Sequence, residues 1–320
     1  DLLRPRNRNP DSNGGKDWRK AMFKRLAVYY KEMFPLLPRF FVAAIMFFEI
    51  YFVLLLNDGV TKFRFDHQEL IGIFTIFVFL MILRIADDFK DYETDRRLFP
   101  HRALPSGRVK KKDLAIALSF IVAVSVLLNI LFMNNVGWFL FLYIYGTLMS
   151  FWFFKRDKIQ NSLPLALVTH NPVMMILNLY TISFVCYKYN LPLLSLPTVL
   201  LAFTMYFPSL IWEVCRKIRA PKDETEYVTY SKLFGYKKAT RFIEVVTLLD
   251  ILTNFALLWN ISHVGVLVLV LNVIWMTVQF EQFIKDPTRF NIRERVERYT
   301  YITETTMVLS VAVYLLMGVL

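Results

Sequence analysis

Apolar residues gather along this chain in runs of about twenty, separated by short polar or charged segments, and a run of that length is what a helix needs to cross the hydrocarbon layer of a membrane. Read against their flanks, the runs predict about nine membrane-spanning helices. They fall near 39–56, 69–86, 113–133, 136–154, 162–186, 192–212, 242–260, 263–281 and 301–320. The expected fold class is an all-α polytopic membrane protein. The segments between the runs alternate in character. The tail before the first run carries Arg4, Arg6, Arg8, Arg19, Lys20, Lys24, Arg25 and Lys31. Basic clusters return at Arg96–Lys112, at Lys155, Arg156 and Lys158, at Arg216–Lys238 and at Lys285–Arg298, whereas Met133–Val136 carries no charge and Asn260–Val264 only His263. Basic residues mark cytoplasmic loops, so the N-terminus is expected inside and the C-terminus outside, as an odd number of spans requires.

Composition agrees with this pattern: 56% of the 320 residues are hydrophobic, 16% are aromatic and the mean hydropathy is +0.42. A soluble domain of this size keeps a larger polar fraction for its surface. The formal net charge of +12 suggests nucleic acid at first, but the cations sit in clusters between apolar runs and form no continuous stripe, so no nucleic-acid partner is expected. The two cysteines, Cys186 and Cys215, imply no disulfide framework. The first 31 residues are polar and basic without an apolar core, unlike a cleavable signal peptide. The domain reading is a basic cytoplasmic arm over 1–35 and a membrane domain over 36–320. Within the arm, Phe23, Leu26, Ala27 and Tyr30 interleave with Lys and Arg over 18–34, which fits a helix lying on an anionic headgroup surface or a partly disordered basic tail.

Chemistry concentrates where the second run ends: Arg84-Ile85-Ala86-Asp87-Asp88-Phe89-Lys90-Asp91-Tyr92-Glu93-Thr94-Asp95. Asp87, Asp91 and Asp95 are spaced i, i+4, i+8 and share one face of a continuous helix, where stacked like charges repel unless a cation lies among them. Hard oxygen donors suit Mg²⁺, which keeps several waters and is commonly shared with substrate phosphates. The plainer alternative is a solvated helix end with Lys90, Arg96 and Arg97 offsetting the acids.

The next residues, Leu98-Phe99-Pro100-His101-Arg102-Ala103-Leu104-Pro105-Ser106-Gly107-Arg108, complete a compound pattern. It resembles the first motif of the UbiA-type intramembrane prenyltransferase superfamily, N/D-D-x-x-D-x-x-x-D followed by R-P-x-x-S-G-R. Asp87, Asp88, Asp91 and Asp95 fall on the acidic positions, and Ala103 stands where proline is usual. Tyr143 and Tyr145, followed by Lys155-Arg156, resemble the family's Tyr-rich fourth helix closed by a basic pair. The resemblance implies helices around a central cavity, Mg²⁺ on Asp87, Asp88, Asp91 and Asp95, and a donor diphosphate held by Arg102, Arg108, Lys155 and Arg156. Asp88, Asp91 and Lys155 become the expected catalytic set. Membrane lipids, an isoprenoid diphosphate donor and an acceptor of unspecified chemistry are the expected partners. The charge pattern suits a cytoplasmic membrane of prokaryotic type, with the acidic site expected on its cytoplasmic side.

The family's second acidic set is where this chain departs. Its residues are Trp212-Glu213-Val214-Cys215-Arg216-Lys217-Ile218-Arg219, with acids returning only at Asp223, Glu224 and Glu226, and Leu233-Phe234-Gly235 closing the segment. Glu213 sits at an acidic position, while Lys217 and Arg219 stand where carboxylates are expected. Those cations are expected to meet phosphate oxygens directly, or else Glu213 and Lys217 form only an i, i+4 ion pair. Within the spans, Glu49 marks a cavity or a partner, and Thr169-His170-Asn171-Pro172 interrupts the fifth. His170 and Asn171 either line an acceptor pocket or satisfy the kink. Asn178, Asn254, Asn272 and Gln279 are expected to tie helices together. The resulting functional expectation is Mg²⁺-dependent transfer of an isoprenyl group from a prenyl diphosphate to a small or lipidic acceptor. Two alternatives stay open: transfer from a sugar diphosphate, phosphoribosyl-type, to a polyprenyl phosphate, and a non-catalytic lipid-binding or transport protein.

Overall fold

A computed structural model describes residues 11–318, with side chains from residue 18 onward, so Arg4, Arg6 and Arg8 lie outside the described residues. Helices and short 3-10 turns are the only regular elements among them. Seven helical stretches are long and apolar enough to cross a membrane: Leu36–Asn57, His67–Lys90, Lys111–Phe132, Leu163–Tyr189, Leu196–Cys215, His263–Lys285 and Ile292–Gly318. The two other expected spans are also helices. Val136–Ser150 is shorter, at 15 residues, because the chain leaves the helix before 154. Tyr236–Leu258 is long enough at 23 residues but carries Lys237, Lys238, Arg241, Glu244 and Asp250. Two spans are broken. Leu163–His170 and Pro172–Tyr189 meet at Asn171, since Pro172 has no N–H to continue the ladder. Leu196–Thr204 and Phe207–Cys215 meet before Pro208.

The chain divides into two compact units, one comprising residues up to 43 with 73–128, the other 44–72 with 129–320. In the first, α1 (Asp11–Glu32) is amphipathic: Met22, Leu26 and Tyr29 are buried at helical spacing, while Lys20, Phe23, Lys24, Ala27 and Lys31 are exposed. Of the four apolar residues that the sequence set among the cations, Leu26 is buried, Tyr30 half-buried, and Phe23 and Ala27 exposed. α1 is tied to the end of α3 (His67–Lys90) through Tyr29 and Asp88 and to the start of α5 (Lys111–Phe132) through Arg25 and Asp113; the short α4 (Tyr92–Leu98) follows α3, and α2 is Leu36–Asn57. Phe34 packs on Phe77 with ring centroids 5.6 Å apart.

In the second unit, Asn135 donates to the Tyr180 carbonyl at 2.7 Å and to Ser183 Oγ at 3.1 Å. Asn272 on the His263–Lys285 helix donates to the Tyr299 carbonyl at 3.0 Å and to Thr303 Oγ1 at 3.1 Å, the interhelical role expected of it. Asn254 instead serves its own helix, donating to the Asp250 carbonyl at 2.9 Å, and Asn178 Nδ2 is buried without a hydrogen-bond partner among the described residues. Gly265 permits a close approach of helices, because a Cβ there would stand 2.3 Å from Ser310 Oγ and 2.8 Å from Leu258 Cδ2. Glu49 is buried, and the charge acting on it is another acid, Glu304, which also acts on Asp250.

Candidate active site

α3 carries the acidic motif out of its apolar run and stops at Lys90, and Asp91 (φ −94°, ψ 8°) joins it to α4. The helical hydrogen bonds continue across this joint, from Asp91 N–H to the Asp87 carbonyl at 2.9 Å and from Asp95 N–H to the Asp91 carbonyl at 2.8 Å. The bend nonetheless corrects the expectation of three acids on one face. Asp87 and Asp91 are exposed one turn apart, while Asp88 and Asp95 are buried.

Each buried acid has its own donor. Asp88 receives the Tyr29 hydroxyl on Oδ2 at 2.5 Å and Arg84 Nη2 on Oδ1 at 2.6 Å. Asp95 receives Arg102 Nη1 on Oδ2 at 2.8 Å, and the Arg102 guanidinium lies 4.0 Å from the centroid of the Phe99 ring. Asp87 lies 3.3 Å from Lys90 Nζ. Among the described residues, Asp91 alone of the four forms no ion pair. Asp91 reaches solvent on one side, but protein atoms crowding the other raise its carboxyl above the ordinary range, and Asp87 raises it further. Burial, with the bond to Asp88, raises the Tyr29 hydroxyl well above the usual phenol range and keeps it a proton donor.

The tail of the motif is a compact turn. Ser106 N–H donates to the Arg102 carbonyl at 3.0 Å, Val109 N–H to the Ala103 carbonyl at 3.1 Å, and Gly107 adopts φ +77°, which glycine reaches at low cost. Ala103 is fully buried at the position where the family usually has proline. Arg108 turns away from the acids: it donates to the His101 carbonyl at 2.7 Å and forms a bidentate pair with Glu32 of α1. Arg25 of the same helix is bidentate to Asp113, at 2.5 and 3.1 Å. Tyr29 and Arg84 are the site residues that the motif pattern missed. The available signal was the buried register Met22, Leu26, Tyr29 of α1, and Arg84 preceding Asp88 by one turn.

The remaining expected site residues lie in the second unit. After Ser150 the chain makes a left-handed turn through Trp152, Phe153 and Phe154, with φ of 54°, 49° and 57°, which presents Lys155 and Arg156. Both are exposed; Lys155 has no ion pair among the described residues, and Arg156 donates to Gln160 at 3.1 Å. The Trp152 ring packs on His170 with centroids 4.9 Å apart, and Thr169 Oγ1 lies 3.0 Å from His170 Nδ1. Asn171 donates to Ser209 Oγ at 3.2 Å, while its Oδ1 is buried without a partner among the described residues.

Phe207–Cys215 ends four residues earlier than Arg219. Glu213 is held by Arg216 at 2.6 Å and by Lys217 at 2.8 Å, which is the local i, i+4 pair that the spacing allowed. Arg219 donates to Thr225 Oγ1 at 2.9 Å and lines, with Asp223, Thr288 and Asn291, a cavity of about 420 Å³. Glu224 turns back to Thr229 and Ser231. Gly235, at φ +81° and ψ 141°, starts the next helix in a conformation that only glycine adopts readily.

Among the described residues, no three His, Cys, Asp or Glu side chains form a ready metal cage. The donor chemistry of the first motif nevertheless fits a hard divalent cation. Asp87 and Asp91 are exposed carboxylates one turn apart, Asp91 is without an ion pair, and Lys90 is the only cation within 4 Å of either among the described residues.

Residues 46–296 match the UbiA prenyltransferase family. A solved structure concerned with digeranylgeranylglyceryl phosphate synthase in membranes has a similar fold, with a TM-score of 0.63 at 14% identity over 90% of this chain and 99% of that one. No curated protein sequence matches. The chain belongs to the UbiA prenyltransferase family and is a multi-pass membrane enzyme of prenyl transfer.

Proposed function

We propose that this enzyme transfers an isoprenyl group from a prenyl diphosphate to a small or lipidic acceptor within the membrane, releasing diphosphate. The observation that carries the reading is the exposed pair Asp87 and Asp91 at the end of an apolar helix, inside a family-specific motif. Of the four acids to which the resemblance gives a metal role, this pair is the one best disposed to take Mg²⁺. Asp88 and Asp95 follow only if Arg84 and Arg102 release them. Bound there, Mg²⁺ supplies charge stabilisation to the leaving diphosphate.

The chain's own residues do the rest. Arg102, already beside Asp95, adds a planar donor for phosphate oxygens. Arg108 holds the motif's turn to α1 and acts on the donor only through that turn. Lys155, without an ion pair among the described residues, and Arg156 are assigned to the diphosphate on the resemblance of their segment to the family's basic pair. The allylic C–O bond breaks with its electron pair leaving on the diphosphate, the acceptor's nucleophilic atom bonds to the freed carbon, and apolar surroundings keep water from competing. The site lies on the cytoplasmic side, with the N-terminus inside and the C-terminus outside, on the strength of the basic segments that flank it.

The basic segment Arg216-Lys217-Ile218-Arg219 favours a second reading, a sugar diphosphate donor gripped by protein cations and transferred to a polyprenyl phosphate. One experiment separates them. The purified protein is heated with prenyl diphosphates of several lengths, a polyprenyl phosphate or phosphoribosyl diphosphate, with and without Mg²⁺. A ligand at a hundred times its dissociation constant adds about 2.7 kcal/mol to stability. Mg²⁺-dependent stabilisation by a prenyl diphosphate, absent in Asp91→Asn, supports prenyl transfer. Stabilisation by the sugar diphosphate alone supports the second reading, and silence from every ligand overturns both.

A further inference from the structure

α1 reaches the acidic motif at two places and the start of α5 at a third, all within one compact unit. Its Glu32 holds Arg108 of the motif's closing turn, its Arg25 holds Asp113 at the start of α5, and between them Tyr29 is fully buried with its hydroxyl on Asp88. With Arg84 on the other oxygen, both oxygens of Asp88 are occupied. Asp88 thus faces into the protein, and on a helix this turns its neighbours Asp87 and Asp91 outward on another side. A carboxylate fixed by two donors from two elements sets the rotation of the helix end that carries it. That joint needs fixing, since α3 stops one residue before Asp91.

We propose that α1 is a strap on the acidic site and that Tyr29 is its positioning residue, holding Asp88 so that Asp87 and Asp91 present their carboxylates together to a divalent cation. The proposal rests on the prenyl-transfer reading only for the cation's purpose; the positioning is a property of the chain.

The test uses Mn²⁺ as the probe and the full-length protein in detergent, with bound metal measured from the loss of the free-ion paramagnetic resonance signal. Tyr29→Phe keeps the ring and removes the hydroxyl. It is expected to weaken Mn²⁺ binding roughly tenfold or more, the effect of one hydrogen bond to a charged group, with helicity and elution unchanged. Asp91→Asn is expected to abolish the site. Arg25→Gln loosens the strap without touching Asp88 and is expected to weaken binding in the same direction by a smaller factor, and it stands in should Tyr29→Phe fail to fold. Wild-type affinity in the folded variants overturns the proposal, as does a wild-type protein that binds no Mn²⁺ at millimolar concentration. If Mn²⁺ binds, Tyr29→Phe weakens it and no prenyl diphosphate is turned over, the functional reading fails and the strap stands. If prenyl transfer proceeds and Tyr29→Phe matches the wild type in metal affinity and kcat, the strap alone fails.

Discussion

Replacing Asp88 and Asp91 one at a time by Asn should separate stability from catalysis across three residues of sequence. Asp88 is 5% exposed at its side chain and pairs with Arg84 at 2.6 Å and Tyr29 at 2.5 Å. Removing one partner of a buried ion pair costs about 3–5 kcal/mol because the other is left uncompensated. Arg84 is 33% exposed, so water takes up part of that charge, and about 2–3 kcal/mol is the expected loss. Asp91 has no ion pair among the described residues and is repelled by Asp87, so its neutral isostere should leave stability unchanged or slightly raised. Turnover is expected to move the other way. On the proposed function, Asp91→Asn removes a carboxylate that would hold the cation stabilising the leaving diphosphate, and losses of about 10²–10³ in kcat are typical for one such stabilising group. Asp88→Asn should lose activity through its lowered folded fraction and, per folded molecule, only by the roughly tenfold expected of a loosened anchor.

The assay is thermal unfolding followed by size-exclusion fluorescence on both variants, beside prenyl transfer measured per folded molecule. Equal destabilisation by the two substitutions, or an Asp88→Asn protein as stable as the wild type, would refute the assignment of anchor and ligand. A pH series adds a sign. Asp91's raised carboxyl contributes stability that is full below the ordinary aspartate range and is lost as pH rises through its shifted value. The wild type should therefore gain less stability than Asp91→Asn as pH rises through that window.

Three further outcomes are expected. Gly265→Ala places a methyl 2.3 Å from Ser310 Oγ and 2.8 Å from Leu258 Cδ2, so overpacking should cost about 1–3 kcal/mol, read as a lowered unfolding midpoint; no change would show that the Ile292–Gly318 helix shifts freely. Glu32 is held below the ordinary glutamate range by its bond to Arg108, so its contribution is present above that range and lost as pH falls through the lowered value. Protease cleavage within α1 should accelerate on acidification over that window in the wild type and be pH-insensitive there in Glu32→Gln. Phe154 is 76% exposed at φ 57°, where a left-handed residue costs about 1–2 kcal/mol and glycine's added chain entropy returns about 0.5–1 kcal/mol. Phe154→Gly should keep or slightly raise the unfolding midpoint, and a clear fall would mean the ring is held by a surface its exposure does not reveal.

Much of this molecule was legible because a membrane imposes long-range constraints in a one-dimensional form. Apolar length and clustered cations are properties of consecutive residues, and all nine expected runs correspond to helices, with Pro172 and Pro208 marking where two of them break. The first motif was legible for the same reason, since its acids and its Arg102–Arg108 turn are contiguous. Where a residue's role depends on a partner far along the chain, spacing carried little. The i, i+4, i+8 pattern placed Asp95 with Asp87 and Asp91, but Arg102 draws it into the protein across a bend that no single residue type announces.

Tyr29 shows the limit most clearly. Fifty-nine residues separate it from Asp88, and in a tail rich in Lys and Arg an aromatic residue reads equally well as a lipid anchor. The helical register could have discriminated, because only one stripe of an amphipathic helix can face protein. In α1 that stripe, Met22, Arg25, Leu26 and Tyr29, is the one carrying groups that need partners, an arginine and a phenol. Phe23 and Lys24, lying off it, have no such demand that water or headgroups cannot meet. A buried hydroxyl must find an acceptor, and the acids clustered at the end of α3 are the local excess of acceptors in this unit. The same reasoning explains the failure at the second segment. There Glu213 meets Arg216 and Lys217 three and four residues away, so the acid of that segment is answered locally and points to no distant residue.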